Sequence, residues 1–303
     1  MSGRILSIGE CMVELAPAGA GLYRQGFAGD TFNMAWYLRQ LVPGGWRVDY
    51  LTALGDDAMS TAMLEFMQGA GVGTSHIAIR PGGSPGLYLI STKNGERSFS
   101  YWRGQSAARS LARDPLELDR ALDGVVLVIL SGITVAILPE ADRRQLWTAL
   151  DRARQRGARV AFDPNLRPRL WSSHQEMCAV IEATAGHADI VLPSFEDDSA
   201  AFGDASPEAT ARRYLGLGAT EVVVKNGGET IHWHGPAGTD QWQPPAVTSV
   251  VDTTAAGDSF NAGYLAAWLA GLDQRQAVAR GAGVAAHVIG AAGALVAIPR
   301  TAG

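Results

Sequence analysis

Cysteine is nearly absent: Cys11 and Cys178 are the only two in 303 residues. Two distant cysteines form neither a disulfide framework nor a zinc-ligand pattern. They read as free thiols in a reducing compartment, which makes the cytoplasm the expected location. Clustered positive charge is missing too. The formal net charge is −5 and no basic block occurs anywhere, which argues against nucleic acid as a partner. An anionic substrate must then be held by local arginines against a mildly repulsive field. Apolar runs fall short of a membrane span. Residues 124–139 are uncharged but interrupted by Ser131, Gly132 and Thr134, and residues 281–299 carry four glycines and His287. A span needs about 20 strongly apolar residues, so no membrane partner is expected, and His287 reads as a packed or pocket-lining histidine. The chain enters Arg4-Ile5-Leu6-Ser7-Ile8-Gly9 with no basic segment leading into a long apolar one, so no signal peptide is expected.

What is present suits a loop-rich α/β enzyme: 47% hydrophobic residues and 36 glycines, enough for one large domain or a domain with a subdomain. Apolar strands are expected at 5–8, 48–54, 77–79, 125–130, 160–162, 190–192, 221–225, 231–234 and 247–251. Helical spacing falls at 30–41, 60–69, 139–156, 173–185 and 207–216, with long helices from Gly257 and Gln274; Gly157 is placed to cap the third of these. Near-continuous apolar strands between helices imply a parallel sheet covered on both faces. Ligands bind at the carboxyl ends of such strands, where Asp163, Ser194, Lys225 and Asp252 fall. One stretch breaks the pattern. Residues 86–91 and 97–103 are strand-like and joined across Asn94-Gly95, a hairpin signal, so a small lid with Leu87, Leu89, Phe99 and Tyr101 on its apolar face is expected.

The chemistry concentrates in Val251-Asp252-Thr253-Thr254-Ala255-Ala256-Gly257-Asp258-Ser259. This is a small-residue turn opening a helix, and exposed N–H groups at a helix start form an anion site. Ala255, Ala256 and Gly257 let a phosphate approach the backbone. Asp258 stands where it can take a proton from an attacking hydroxyl. Phosphoryl transfer is the reading this pairing favours.

Two signatures carry a resemblance. Gly29-Asp30-Thr31-Phe32-Asn33 resembles the amino-terminal signature of the ribokinase-like (PfkB) sugar kinases, and Asp252–Asp258 resembles their carboxyl-terminal one. Gly9-Glu10-Cys11-Met12, Pro85-Gly86-Leu87-Tyr88, Tyr101-Trp102-Arg103 and Asp163-Pro164-Asn165-Leu166-Arg167 are similar to the branch of that family acting on 2-keto-3-deoxy sugar acids. The resemblance spans essentially the whole chain. It implies an α/β, ribokinase-like three-layer αβα sandwich with a central, mostly parallel sheet and a small β lid. One kinase domain would fill residues 1–303, with lid segments at about 11–29 and 84–105. The implied reaction is ATP-dependent phosphorylation of 2-keto-3-deoxy-D-gluconate at O6. Fructose, ribose or a related deoxy sugar acid is the alternative substrate, and a catalytically silent sugar-acid sensor is the alternative of another class.

By resemblance, Gly29 and Asn33 lie beside the sugar hydroxyls, and Tyr88, Tyr101, Arg103 and Arg167 surround the carboxylate and keto end. An arginine fork pairs a carboxylate through two parallel hydrogen bonds, and a plain sugar offers none to pair. Asn165, Ser194, Lys225, Gly227, Gly228 and Gly257 would meet ATP, Ala255–Gly257 would form the anion hole, and Asp258 would be the general base. Mg²⁺ would bridge the phosphates, a monovalent cation is a further candidate, and a homo-oligomer is expected. Two positions depart from the family pattern. Ala255 replaces a glycine, which is costly if that site needs φ > 0, and Ser194-Phe195-Glu196-Asp197 replaces an Asn-x-x-Glu motif, so no metal ligand is named. Each residue has a plainer alternative: Asp258 a dipole-complementing helix-start acid, Arg103 and Arg167 solvated charges, Tyr88 and Tyr101 cross-strand packing, Asn33 a helix-surface residue, Lys225 a strand end.

Overall fold

The computed structural model of the chain describes residues 2–93 and 96–299. The chain runs β1 (Gly3–Ile8), β2 (Met12–Gly19), β3 (Leu22–Ala28), α1 (Asp30–Leu41), β4 (Trp46–Leu54), α2 (Ala58–Gly69), β5 (Gly73–Ile79), β6 (Leu87–Lys93) and β7 (Glu96–Trp102). It continues with α3 (Pro115–Leu122), β8 (Leu127–Ser131), α4 (Gly132–Ile137), α5 (Glu140–Gln155), β9 (Arg159–Asp163), α6 (His174–Ala185), β10 (Ile190–Val191), α7 (Phe195–Phe202) and α8 (Pro207–Gly216). Last come β11 (Glu221–Val224), β12 (Ile231–Gly235), β13 (Gly238–Trp242), α9 (Ala256–Leu269) and α10 (Gln274–Val288).

The main sheet has the order β13-β12-β11-β10-β9-β8-β1-β4-β5. The pairs from β11 to β5 are parallel, and β12 and β13 add an antiparallel edge. Successive strand residues point to opposite faces, and the core divides accordingly. Ile5, Val48, Tyr50, Leu127 and Ile129 pack on one side, with α1, α9 and α10; Leu6, Ile8, Leu51, Val128 and Leu130 pack on the other. Each such buried side chain contributes about 1.5–3 kcal/mol. Helix starts are capped by the side chains of Asp57, Ser173, Ser206 and Asp273, at about 1 kcal/mol each. Gly157, just past α5, has φ of +96°, a turn open to glycine at little cost.

A second sheet, β3-β2-β6-β7, stands over the carboxyl ends of the main one. Its antiparallel pair β6–β7 places Tyr88 opposite Tyr101 and Ile90 opposite Phe99; the connecting Asn94-Gly95 lies outside the described residues. The expected apolar face is thereby corrected. Leu87 pairs with Trp102 and Leu89 with Ser100, so Leu87 and Leu89 lie on the face opposite to Tyr101 and Phe99. The inward face is Tyr88 and Ile90, packed with Met12, Ala28 and Ala294.

Two further expectations fail. Residues 247–251 form no strand: they follow two prolines, and the Val251 and Asp252 N–H groups bond to Ile289 O at the end of α10 instead of to a strand. His287 is exposed, with Nε2 3.0 Å from Ala297 O, because the buried stripe of α10 is Ala277, Val278, Gly281, Val284 and Val288. Among the described residues no helix is long and apolar enough to cross a membrane.

Candidate active site

The small sheet, the carboxyl ends of β9 to β11 and the start of α9 enclose a cleft of about 710 Å³. Its wall brings together Gly29, Asn33, Tyr88, Tyr101, Arg167 and Asp258 with Asn165, Ser194, Lys225, Gly227 and Ala255–Gly257. Two expected residues are not on that wall, Arg103 and Gly228.

The segment 252–258 is built as an anion-facing turn. Asp252 Oδ1 accepts from Thr254 N (3.1 Å) and Thr254 Oγ1 (2.7 Å), and Oδ2 accepts from Gly293 N (2.7 Å). Ala255 is the residue before α9 and is left-handed, with φ +60° and ψ +17°. For alanine this conformation costs roughly 1–2 kcal/mol, and it persists because the turn on both sides is tied down. A left-handed residue leading into a right-handed helix makes a concave nest of N–H groups suited to an anion. Of the three small residues, Ala256 spends its N–H on Thr253 O (3.2 Å), so the first-turn donors are those of Gly257 and Asp258.

Asp258 follows on that turn. Asn33 Nδ2 donates to Asp258 Oδ2 at 2.8 Å, and Asn33 Oδ1 accepts the Gly29 N–H at 3.3 Å. Gly29 is required by close approach: a Cβ there would stand 2.1 Å from Glu10 O. Burial, and next the negative charge of Asp30, push the Asp258 carboxyl up to about 7, against the lowering bond from Asn33. A carboxyl poised near neutrality beside an anion site suits a general base.

Beside it lies a buried polar knot. Asp163 Oδ2 accepts from Lys225 Nζ (3.1 Å) and Asn261 Nδ2 (2.6 Å), and Lys225 Nζ also donates to Asn261 Oδ1 (3.1 Å). Asn165, at φ +36°, donates from Nδ2 to Asp30 Oδ2 (2.7 Å) and from its N–H to Asp163 Oδ1 (3.2 Å). Asp163 falls at the strand end where the sequence pattern places ligands, without a role assigned to it; Asp30 and Asn261 are not among the expected site residues. Asp30 and Asp163 stand inside quoted motifs at an element end, which is the signal that could have found them; Asn261 has none beyond its place one turn after Asp258. Ser194 joins the knot through a parallel bridge to Lys225.

The opposite end of the cleft is aromatic and charged. Tyr88 and Tyr101 have ring centroids 6.0 Å apart, and Phe99 stacks on Tyr101. The Tyr88 hydroxyl donates to Glu14 in a short bond, and burial pushes its pKa far above the usual phenol range, so it stays protonated. Arg167 is half-exposed and 3.6 Å from Asp197, a carboxyl that burial pushes up and Arg167 draws down. Arg103 pairs with buried Glu10. Among the described residues no group of three or more His, Cys, Asp or Glu side chains could hold a metal ion.

Comparison with known proteins agrees with this geometry. Residues 2–301 match the model for the pfkB family carbohydrate kinases. The chain is 40% identical to a 2-dehydro-3-deoxygluconokinase of Dickeya dadantii over 302 residues, covering 96% of each chain. It is also 40% identical to the 2-dehydro-3-deoxygluconokinase of Escherichia coli K12 over 310 residues, covering 100% of this chain and 99% of the other. Among solved structures, a PfkB protein from Polaromonas sp. JS666 superposes with a TM-score of 0.83 at 29% identity, covering 95% of this chain and 96% of that one.

Proposed function

The chain belongs to the pfkB family of carbohydrate kinases, and from that premise we propose that it transfers the γ-phosphoryl group of ATP to O6 of 2-keto-3-deoxy-D-gluconate. The products are 2-keto-3-deoxy-6-phosphogluconate and ADP, and the role is in sugar-acid breakdown. The observation that carries the reading is Asp258 on the cleft wall, its carboxyl held near neutrality, one turn-position from the open N–H groups of α9. The names of the full-length relatives support the substrate.

On this reading Asp258 draws the proton from the O6 hydroxyl as bonding to phosphorus develops. The Gly257 and Asp258 N–H groups hold the charge that spreads over the phosphoryl oxygens. Asn33 fixes the Asp258 carboxyl through its 2.8 Å bond, and Gly29 keeps the wall flat beside the sugar. Tyr88, Tyr101 and Arg167 flank the carboxylate end, while Arg103, expected there too, is off the wall and paired with Glu10. Lys225, Asn165, Ser194 and Gly227 line the ATP end, with Gly228 next to the wall. Mg²⁺ is expected with ATP, held chiefly by the phosphates and water, where it would neutralise phosphate charge; no side chain is assigned to it. The two free thiols support a cytoplasmic setting. Exposed Leu22, Tyr23 and Trp102 on the small sheet support a homo-oligomer, which a solution mass would test.

The deciding experiment is a substrate panel coupled to ADP release. Turnover with 2-keto-3-deoxygluconate should exceed that with fructose or ribose by orders of magnitude. Equal rates would sink the sugar-acid assignment, and ATP turnover unchanged by any sugar acid would make the chain a sensor.

A further inference from the structure

The knot of Asp163, Lys225 and Asn261 joins three elements: the end of β9, the residue after β11 and the second turn of α9. Asn261 is fully buried, and its amide faces two opposite charges. Oδ1 accepts from the Lys225 ammonium (3.1 Å), and Nδ2 donates to Asp163 Oδ2 (2.6 Å). An aspartate there would set a second anion against Asp163. A leucine would leave both charges short of a partner.

An ammonium carries three donors. Lys225 spends one on Asp163 and one on Asn261, and the third has no partner among the described residues. The ammonium is not sealed off. Lys225 stands on the cleft wall with 13% of its side chain exposed, and a Cβ on Gly257 would meet Nζ at 3.7 Å. Gly257 carries one of the two open N–H groups of the anion turn. The same charge reaches Asp258, where it draws the carboxyl down against burial, Asp30 and Asp163. A cation needed only to neutralise Asp163 could sit anywhere around that carboxylate. This one is held on the side that faces the turn.

We propose that Lys225 contacts the phosphoryl group during its transfer, beside the Gly257 N–H, and that Asn261 is the positioning residue that aims it there. In that step the bond from O6 to phosphorus forms. The bond from phosphorus to the bridging oxygen of ATP breaks, and its electron pair leaves on ADP. The O6 proton passes to Asp258, and Lys225 keeps all of its own. A fixed cation stabilises charge on the phosphoryl oxygens without rearranging. Asn261 is off the cleft wall and acts through Lys225. The inference deepens the kinase reading above and rests on it.

The test is a double-mutant cycle with Asn261→Leu, Lys225→Met and both together. It is read through ADP release as kcat, KM for ATP and KM for the sugar turned over fastest. Asn261→Ser and Lys225→Gln are the milder changes should either variant fold poorly. Lys225→Met is expected to lower kcat about 100-fold or more, as loss of one such donor does. Asn261→Leu should lower kcat about tenfold with both KM values within about threefold, and the double variant should be no slower than Lys225→Met alone. In both single variants the acid limb of kcat/KM should move to higher pH, since the cation that draws Asp258 down is lost or displaced. An unchanged kcat and pH limb in Asn261→Leu, or two effects that simply multiply, overturns the positioning role. A Lys225→Met defect confined to the ATP KM makes the lysine a holder of bound ATP and overturns the contact during transfer. In either case the kinase reading stands. A wild type that releases no ADP with any sugar or sugar acid overturns both.

Discussion

The two ends of the cleft are built differently. At the phosphate end, Asp163, Lys225 and Asn261 satisfy one another on the ends of central strands and on α9, and Asp252 uses both carboxylate oxygens to close its turn. At the end proposed for the sugar acid, Tyr101 is half-exposed, Arg167 reaches only the neighbouring Leu166 O (2.6 Å) and a carboxylate 3.6 Å away, and Arg103 and Glu10 keep unpaired atoms. On the proposed assignment, the chemistry is fixed into the core of the molecule and recognition is left on a thinner, less fully bonded sheet. Fixed donors suit charge that must be stabilised without rearrangement, whereas open donors suit a ligand that completes them.

The sharpest attack on the first end is Asp258→Asn. It should lower kcat by about 10²–10⁴-fold with little change in either KM. The same substitution should raise the melting temperature at pH 8. The Asp258 carboxyl sits at about 7 in the folded state, above its unfolded value, so the folded chain holds an extra proton between roughly pH 4 and 7. That contribution is present at low pH and lost as pH rises through 7, and asparagine, carrying no charge, escapes the loss. Unaltered turnover would remove Asp258 from the chemistry, and an unaltered melting curve would remove the strain.

Lys225→Met comes next. It leaves Asp163 buried beside Asn261 without its cation, at a cost of about 3–5 kcal/mol, visible as a drop in melting temperature. Cutting Arg167 to alanine should cost much less stability, because that arginine is half-exposed, and should act on the sugar-acid KM instead. Comparable destabilisation by both would erase the distinction between the ends.

The pH dependence is a subtler probe. The acid limb of kcat/KM should lie near pH 7, and Asp30→Asn should move it to lower pH, because the Asp30 charge raises the Asp258 carboxyl. A limb that stays in place would show that burial alone sets it. The smallest effect is expected from Ala255→Gly. Relief of the left-handed backbone, about 1–2 kcal/mol, outweighs the extra unfolded freedom of glycine, about 0.5–1 kcal/mol, so the melting temperature should rise slightly at unchanged kcat.

The phosphate end was also the more legible in the sequence. Asp252–Asp258 is local: one turn, one helix start, with the acid, the small residues and the donors within seven positions. The main strands read well because their apolar runs are buried on both faces, and α1 and α8 fall where the spacing puts them. The small sheet read poorly. β2 and β3 are half-polar, and their turn at Gly19-Ala20-Gly21, with positive φ at all three residues, carries no hydrophobic period. The face reversal of Leu87 and Leu89 is a matter of register, which one residue of phase decides. Glu10–Arg103 and Asn33–Asp258 join positions 93 and 225 residues apart, and no local pattern announces such pairs.

The bond from Gly293 to Asp252 also sets an order of events. Residues 290–298 reach back to Tyr37, whose hydroxyl donates to Ala294 O (2.7 Å) and accepts the Val296 N–H (3.1 Å), and to Gln40, which accepts the Ile298 N–H (3.0 Å). A chain emerging from the ribosome as far as residue 290 would already hold every strand of both sheets and Asp258 itself. It would still lack the donor for Asp252 Oδ2 and the cover over Met12 and Tyr88. Because a domain folds as a unit, the phosphate-facing turn and the cover over the small sheet depend on a segment more than thirty residues downstream of Asp258, so losing residues 290–298 should disable the cleft while leaving every strand in the chain.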